Sequence, residues 1–145
     1  MSTVANILRR KHQTLVTVTP DTMVVEALLI MADRNIGTVI VVENGNYLGI
    51  MTERDYARKV VIKGRRSFET RVSDIMSTDL LRVSPGDNLE HCMTIMSDKH
   101  IRYLPVFEEN KLVGVVSLLD LIDETVIAQR ETISHLRGYI SGSHA

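Results

Sequence analysis

A short motif with the residue types of a nucleotide-binding site occurs twice in the chain. The copies are Gly49–Asp55 and Gly114–Asp120, and both read glycine, two hydrophobic residues, a hydroxyl residue and, three positions later, an aspartate. A hydroxyl residue at a helix start, with free helical N–H groups behind it, favours a bound phosphate. The aspartate can accept two hydrogen bonds from a vicinal diol such as a ribose. The same spacing equally suits a plain helix cap, in which the aspartate bonds back to the N–H of the capping residue.

A basic cluster accompanies the first copy only. Its members are Arg54, Arg58, Lys59, Lys63, Arg65, Arg66 and Arg71. Residues four apart on a helix share a face, so Arg54 and Arg58 are expected to lie together. Charge runs are usually solvated surface, but beside a helix start such a cluster also suits phosphate groups. The second copy has Leu118 and Leu119 where the first has Glu53 and Arg54, so two binding sites should differ.

Both motif copies lie within a longer internal repeat. A shift of 65 residues aligns Leu15–Lys59 with Leu80–Glu124 without a gap, and eleven of the 45 pairs are identical. Ordinary residue frequencies would give roughly three identical pairs. A shorter similarity precedes each copy, because Val4–Leu8 resembles Val72–Met76. We therefore divide the chain into a first repeat with its lead-in (1–64), a second repeat (65–128) and a helix end with a frayed tail (129–145).

Each repeat predicts the element order β-α-β-β-α and, for the whole chain, an α+β fold of two layers. The first repeat gives a strand at Val16–Val18, a helix capped by Thr22, strands at Thr38–Val42 and Tyr47–Met51, and a helix from Glu53 to about Lys63. The second gives a strand at Leu81–Val83, a helix capped by Asp87, strands at Tyr103–Phe107 and Leu112–Val116, and a helix from Leu118 to about Arg137. One such unit buries too little surface alone, so two are expected to pack together.

Composition limits the class of protein. The 145 residues are 44% hydrophobic and carry a formal net charge of −1, as in a globular chain. The charge balance and an aromatic content of 4% argue against a nucleic-acid partner. A single cysteine allows no internal disulfide, and no apolar run reaches the roughly 18 residues of a membrane span. These features predict a cytoplasmic protein that does not enter a membrane.

Catalytic and metal-binding patterns are missing from the sequence. We find no glycine-rich phosphate loop and no nucleophile with a partner base, so we expect no enzyme activity. The histidines lack the spacing of metal ligands, so we expect no metal site. Cys92 follows His91 but falls on the apolar stripe of the first helix of its repeat. It is therefore predicted to be a buried structural thiol.

Together, the tandem unit, the Thr19-Pro20 and Ser84-Pro85 starts and the Gly-to-Asp motif resemble a stand-alone pair of CBS domains, a Bateman module. The resemblance extends from about Val4 to about Ala128. It implies that the two repeats pack with pseudo-twofold symmetry and that clefts between them bind adenosine-containing ligands. These ligands are AMP, ADP, ATP, NAD or S-adenosylmethionine. It also implies that two modules join into a disc-like homodimer.

The resemblance also implies roles for individual residues. Asp55 would hold the ribose hydroxyls with Thr52 near the phosphate, and Asp120 and Ser117 would do the same in the second cleft. The adenine slots would consist of Thr17, Val18, Gly37, Thr38 and Val39 in one repeat and Arg82, Val83, Tyr103, Leu104 and Pro105 in the other. Arg102 matches a position that often reaches a phosphate. From charge and position alone, we expect phosphate contacts from Arg54, Arg58, Lys63 and Arg65.

We therefore expect a non-catalytic regulatory module that senses an adenosine nucleotide in a signalling role. One alternative is a structural dimerisation module with empty clefts, and a less favoured one is an enzyme acting on a nucleotide. The expected partners are the small adenosine ligand, a second copy of the chain and an effector protein. Apolar residues at helical spacing in the tail (Ile127, Ile133, Leu136 and Ile140) favour packing against the second subunit over covering the core.

Overall fold

Two compact units make up the structure, a computed structural model that describes residues 2–11 and 15–142. The first-repeat unit lies within Thr14–Leu80. The second-repeat unit combines Met1–Gln13 with Leu81–Ala145. The second-repeat unit includes helix α1 (Val4–Lys11), although this helix precedes the first repeat in the sequence.

The first-repeat unit has the predicted β-α-β-β-α order. Its elements are β1 (Thr17–Val18), α2 (Val24–Arg34), β2 (Thr38–Glu43), β3 (Asn46–Thr52) and α3 (Glu53–Tyr56), which continues as a wider π-type helix over Ala57–Val61. Strand β1 pairs in parallel with β2, and β2 pairs antiparallel with β3. Side chains of α2 and the sheet, including Val24, Ala27 and Met31, form the core with Val39 and Val41.

The second-repeat unit repeats this arrangement with a reduced first strand. Its elements after α1 are α4 (Leu89–Lys99), β4 (Tyr103–Glu108), β5 (Lys111–Ser117) and α5 (Leu118–Gly142). The predicted strand at Leu81–Val83 is present only as one parallel bridge between Val83 and Val106. Strands β4 and β5 form an antiparallel pair. The mixed α+β class and the repeated element order predicted from the sequence are therefore confirmed.

Both hairpins turn through two residues with positive φ, the conformation of a type I′ turn. In the first hairpin these residues are Asn44 (φ 52°) and Gly45 (φ 80°), as the Asn-Gly pair predicts. The second uses Glu109 (φ 50°) and Asn110 (φ 65°) and reaches the same conformation without glycine. The turns set the strand register and so decide which residues face each other across each hairpin.

Helices α2 and α4 begin one residue later than predicted, and the two predicted caps are wrong. Thr22 Oγ1 accepts a hydrogen bond from the N–H of Thr19 (3.1 Å), and the Asp87 carboxylate accepts one from the N–H of Ser84 (2.8 Å). These side chains thus close the turn before each helix and are not available to the helix itself. The N-cap of α4 is Asn88. Helix α5 continues past the predicted Arg137, and residues 143–145 of the predicted frayed tail lie outside the described residues.

Each lead-in segment packs in the unit of the other repeat. The N–H of Val4 donates to the carbonyl of Asp87 (2.9 Å), and the N–H of Val72 donates in the same way to the carbonyl of Thr22 (2.8 Å). Residues 4–11, which the sequence division assigns to repeat 1–64, therefore lie in the second-repeat unit. The division at 64/65 separates the sequence repeats, whereas the compact units follow these backbone hydrogen bonds.

Cys92 lies fully inside the core of the second-repeat unit, at 0% exposure. Burial raises the pKa of its thiol to about 11. Since the thiolate is the reactive form, we expect iodoacetamide to leave Cys92 unmodified in the native protein at pH 8 and to alkylate it in urea. Intact-mass spectrometry measures the difference. Rapid alkylation without denaturant would contradict the buried placement.

Candidate functional site

Hairpin register places predicted site residues side by side within each unit. Thr38 on β2 lies opposite Thr52 at the end of β3, and Tyr103 on β4 lies opposite Ser117 at the end of β5. The motif helix of each unit, α3 or α5, begins at the next residue. One hairpin end thus carries both the motif hydroxyl and a residue predicted for the adenine slot.

Asp55 is buried, with 7% of its surface exposed, and both oxygens of its carboxylate are occupied. Oδ2 accepts hydrogen bonds from the backbone N–H (2.9 Å) and the hydroxyl (3.1 Å) of Thr52. Oδ1 accepts from the hydroxyl of Ser77 (3.0 Å) and forms an ion pair with Lys59 Nζ (3.1 Å). Because the N–H of Asp55 donates to Thr52 Oγ1 (3.1 Å), the pair forms a capping box. The cap alternative is therefore the arrangement seen at the first motif.

Asp120 has the same cap but a more accessible carboxylate. Its Oδ2 accepts from the N–H of Ser117 (2.8 Å) and pairs with Lys11 Nζ (2.9 Å). Its Oδ1 accepts no hydrogen bond from any residue in the described ranges. The Asp120 side chain is 19% exposed, against 10% for Asp55. The second motif, which lacks the basic cluster, thus has the carboxylate oxygen that no described residue bonds.

The helical N–H groups expected to be free for phosphate are in part already bonded. The N–H of Glu53 donates to the carbonyl of Gly37 (3.1 Å), and the N–H of Leu118 donates to the carbonyl of Arg102 (2.9 Å). The N–H of Asp55 is bonded to its cap, as is that of Asp120 (3.1 Å). Gly37 and Arg102 stand just before the neighbouring strands β2 and β4, so the pairing of each hairpin extends to the first residue of the helix. Side-chain cations are therefore the better candidates for phosphate binding.

Three cations of the basic cluster serve the structure of the first-repeat unit. Arg71 pairs with Asp21 (2.8 Å), and Arg66 lies 3.9 Å from the Glu69 carboxylate. Lys59, besides its pair with Asp55, donates to the carbonyl of Ile75 (2.8 Å). Arg66, Arg71 and Lys59 would each have to break one of these contacts in order to bind a ligand.

The remaining cations divide into one half-buried residue and three exposed ones. Arg54 is half-buried, whereas Arg58, Lys63 and Arg65 are exposed. In the part of the chain that the structure describes, no carboxylate lies within ion-pair distance of these three. Arg54 and Arg58 thus differ in exposure, and the helix changes from the α to the π form between them, at Ala57. The expectation that they lie together on one face stays a prediction.

The residues predicted to form the adenine slots differ in how far they are buried. Val18, Val39, Leu104 and Pro105 are buried with the cores, so only their backbone groups could meet a ligand, and Val83 is buried as well. Thr17, Arg82 and Arg102 are exposed, and Gly37, Thr38 and Tyr103 are half-buried. Thr38 donates its hydroxyl to the carbonyl of Met51 (3.2 Å). The guanidinium of Arg82 lies over the Phe107 ring, 3.9 Å from its centroid. The assignment of these residues to a ligand stays a prediction.

Sequence reasoning missed Ser77 and Lys11, the residues that hold the two motif aspartates from outside their own helices. Each lies shortly after a lead-in segment, Ser77 after Val72–Met76 and Lys11 after Val4–Leu8. The similarity between the two lead-in segments was the one sequence feature that pointed to these regions. It does not show that each segment reaches the motif of the other repeat.

The sequence also led us to expect no metal site and no membrane-spanning segment. Within residues 2–11 and 15–142, no group of three or more His, Cys, Asp or Glu side chains is placed to hold a metal ion. Nor does any helix in those ranges have the length and apolarity needed to cross a membrane.

Comparison with known proteins identifies the repeated unit. The profile of the CBS domain matches residues 4–62 and 72–126. A CBS domain-containing protein of Bacillus subtilis is 40% identical over 105 residues, which are 72% of this chain and 74% of that protein. A mitochondrial CBS domain-containing protein of Arabidopsis thaliana is 37% identical over 131 residues. That match covers 87% of this chain but only 64% of the longer plant protein.

The fold gives the same result. A solved protein with CBS domains from Burkholderia ambifaria superimposes with a TM-score of 0.84 at 40% identity, covering 88% of this chain and 96% of that one. Both sequence repeats fall within the regions that the CBS profile matches, and each contains one copy of the hydroxyl-to-aspartate motif. The chain therefore belongs to the CBS-domain family and contains two CBS domains in tandem.

Proposed function

We propose that the protein is a non-catalytic regulatory module that binds an adenosine nucleotide, either AMP, ADP or ATP, or NAD, with S-adenosylmethionine as a further candidate. CBS-domain proteins are generally regulatory modules. The observation that carries the proposal is the set of three exposed cations, Arg58, Lys63 and Arg65, that follow the first motif and have no ion-pair partner among the described residues. Mere packing of the unit does not require them.

In this proposal the two aspartates accept ribose hydroxyls with different ease. Asp120 offers Oδ1 directly, next to the half-buried Ser117 and Tyr103. Asp55 must first release Ser77 or Lys59, because its four donors fill both oxygens. A ribose at Asp55 therefore replaces internal hydrogen bonds, and its net contribution is smaller than that of a ribose bound to an open carboxylate.

The phosphates are assigned to side-chain cations. Arg58, Lys63 and Arg65 can turn toward a phosphate without breaking an ion pair, and Arg102 is exposed in the other unit. Charge-assisted hydrogen bonds from arginine to phosphate are among the strongest in proteins. We therefore expect charged ligands to bind more tightly than adenosine, which has no phosphate.

Isothermal titration calorimetry with AMP, ADP, ATP, NAD, S-adenosylmethionine and adenosine tests the proposal. A ligand at 100 times its dissociation constant also adds about 2.7 kcal/mol to the free energy of unfolding, so a thermal shift accompanies true binding. Binding by none of the six would overturn the proposal and favour the alternative of a structural dimerisation module. Conversion of a bound nucleotide to product would favour the enzyme alternative.

Neutralising the exposed cations gives a sharper test. We expect Arg58→Gln, Lys63→Gln and Arg65→Gln each to weaken ATP binding by roughly tenfold, since each removes a phosphate contact. Adenosine binding and the melting temperature should stay unchanged. Arg66→Gln is the matched control, because the same charge is removed from a residue that already pairs with Glu69. Equal losses in all four variants would indicate a general charge effect and contradict the assignment.

We further propose that the protein acts in the cytoplasm and signals to an effector protein. The name of the Arabidopsis relative places that protein in mitochondria, so location is a separate experimental question. Cell fractionation answers it, and recovery in an organelle fraction would contradict the cytoplasmic assignment. Affinity capture with and without nucleotide identifies an effector whose binding depends on the ligand.

A further inference from the structure

The turn of the first hairpin contains an asparagine followed by a glycine, and Asn44-Gly45 is the only such pair in the sequence. Both residues are exposed, and a Cβ on Gly45 would meet nothing within 4 Å. In the ranges that the structure describes, the Asn44 amide has no hydrogen-bond partner and the N–H of Gly45 donates to no acceptor. Asparagine is a thermolabile residue, because its amide carbon can react with the next backbone nitrogen. At Asn44 both groups are unprotected.

The other asparagines of the chain lack this combination. Each is followed by a residue with a large side chain that shields the backbone nitrogen, namely Ile7, Ile36, Tyr47, Leu89 or Lys111. Hydrogen bonds add to the protection. The N–H of Ile36, after Asn35, donates to the carbonyl of Met31 (2.9 Å), and the Asn88 amide accepts from the N–H of His91 (2.7 Å).

The second hairpin is the natural comparison, because its turn has the same backbone conformation. There the asparagine is the second turn residue, Asn110, and the next residue, Lys111, begins β5 and pairs with Glu108. In the first hairpin the asparagine is the first turn residue, so the nitrogen that follows it lies outside the strands. Position in the turn thus distinguishes Asn44 from Asn110, in addition to the glycine.

We propose that Asn44 is a site of spontaneous deamidation. The backbone nitrogen of Gly45 attacks Cγ of the Asn44 side chain, and the new C–N bond closes a succinimide ring. The side-chain nitrogen leaves as ammonia and takes the proton of the Gly45 N–H. Solvent water then opens the ring at either of its two carbonyls and gives aspartate or isoaspartate. No group is oxidised or reduced, and the product carries one more negative charge than the formal net charge of −1.

The two products affect the hairpin differently. Aspartate suits the position, because Asp-Gly is also a favoured pair in a type I′ turn. In isoaspartate the chain runs through the side-chain carbons, so the turn gains one backbone atom. Since turn geometry fixes the register of a hairpin, the pair Glu43–Asn46 beside the turn cannot keep its alignment. We therefore expect isoaspartate to lower the melting temperature by about 2–4 °C and aspartate to leave it unchanged.

Peptide mapping of the full chain, aged at mildly alkaline pH without nucleotide, tests the site. We expect Asn44 to gain about one dalton at least about tenfold faster than Asn110, because Asn110 reacts only after the ladder opens. Asn44→Gly is the control, since Gly-Gly also fits the turn. The fold should persist and the early mass increase should vanish. Equal rates at Asn44 and Asn110, or an unchanged mass increase in Asn44→Gly, would overturn the proposal.

Lys111→Gly separates the effect of sequence from that of structure. It gives Asn110 a following glycine, but this glycine lies in the ladder opposite Glu108. We expect Asn110 of the folded variant to stay slow, and to react as fast as Asn44 when both are unfolded in urea. Circular dichroism confirms that the variant is folded. Rapid reaction of Asn110 in the folded variant would contradict the role of the open turn position.

The effect on the hairpin is measured on the aged protein itself. Electron-transfer fragmentation distinguishes isoaspartate from aspartate, and Asn44→Asp supplies the aspartate product in pure form. The isoaspartate form should melt below Asn44→Asp, which should melt with the unmodified protein. Equal melting temperatures of the two products would contradict the loss of register. Since no nucleotide is present, these results are independent of the proposed ligand.

Discussion

Gly49→Ala is expected to lower the free energy of unfolding by about 3 kcal/mol. A Cβ at this position would overlap the carbonyl oxygen of Ser77, which is backbone and cannot rotate away. The contact lies inside a pair of hydrogen bonds, since the N–H of Ile50 donates to the carbonyl of Ser77 (3.0 Å) and the N–H of Ser77 donates back (2.8 Å). The methyl group must therefore push Ser77, in the segment that links the two repeats, away from β3. This movement weakens both hydrogen bonds.

The equivalent glycine of the second repeat provides the control. A Cβ on Gly114 meets Cδ2 of Leu8, the far end of a flexible side chain. Leu8 can change rotamer, so we expect a loss of about 1 kcal/mol or less. Urea denaturation followed by circular dichroism measures both variants. Losses of similar size would mean that the Ser77 contact does not distinguish the two repeats.

Asp55→Ala is expected to lower the free energy of unfolding by about 2–3 kcal/mol. The change removes the capping-box carboxylate and leaves the hydroxyl of Ser77 and the N–H of Thr52 without their acceptor. Unmade hydrogen bonds of buried groups are the costly ones. The variant also releases Lys59, which is 44% exposed and can turn to water.

Asp120→Ala is the matched control, with an expected loss of about 1 kcal/mol. Its carboxylate has fewer donors, and Lys11 can partly solvate when the ion pair is lost. Thermal and urea unfolding of the two variants give the comparison, and a larger loss in Asp120→Ala would contradict the difference in burial.

The stability of the two variants also decides which of them should be used to measure ligand binding. Asp55→Ala changes the fold and the ligand site together, so Asp120→Ala is the cleaner probe of a ribose contact.

The sequence predicted those features that depend on local pattern. Apolar spacing placed α2 and α4 with Val24, Ala27 and Cys92 inside, and Asn44-Gly45 placed the first hairpin turn. These predictions succeed because helical period and turn conformation depend on residues close together in the chain. The two predicted helix caps, Thr22 and Asp87, were wrong because each side chain bonds to the turn before its helix. Thr22 and Asp87 have two backbone donors nearby, and spacing alone does not say which one they bind.

The sequence by itself thus determined the duplication, the order of elements and the two hydroxyl-to-aspartate motifs. Only the tertiary structure decided what surrounds each aspartate. Ser77 reaches Asp55 from 22 positions away, and Lys11 reaches Asp120 from the far end of the chain. Such contacts depend on where a segment packs, and the lead-ins pack in the unit of the opposite repeat. The two motifs therefore differ in their aspartates: both oxygens of Asp55 are bonded, whereas Oδ1 of Asp120 has no donor among the described residues, because Ser77 and Lys11 are different residues that come from different parts of the chain.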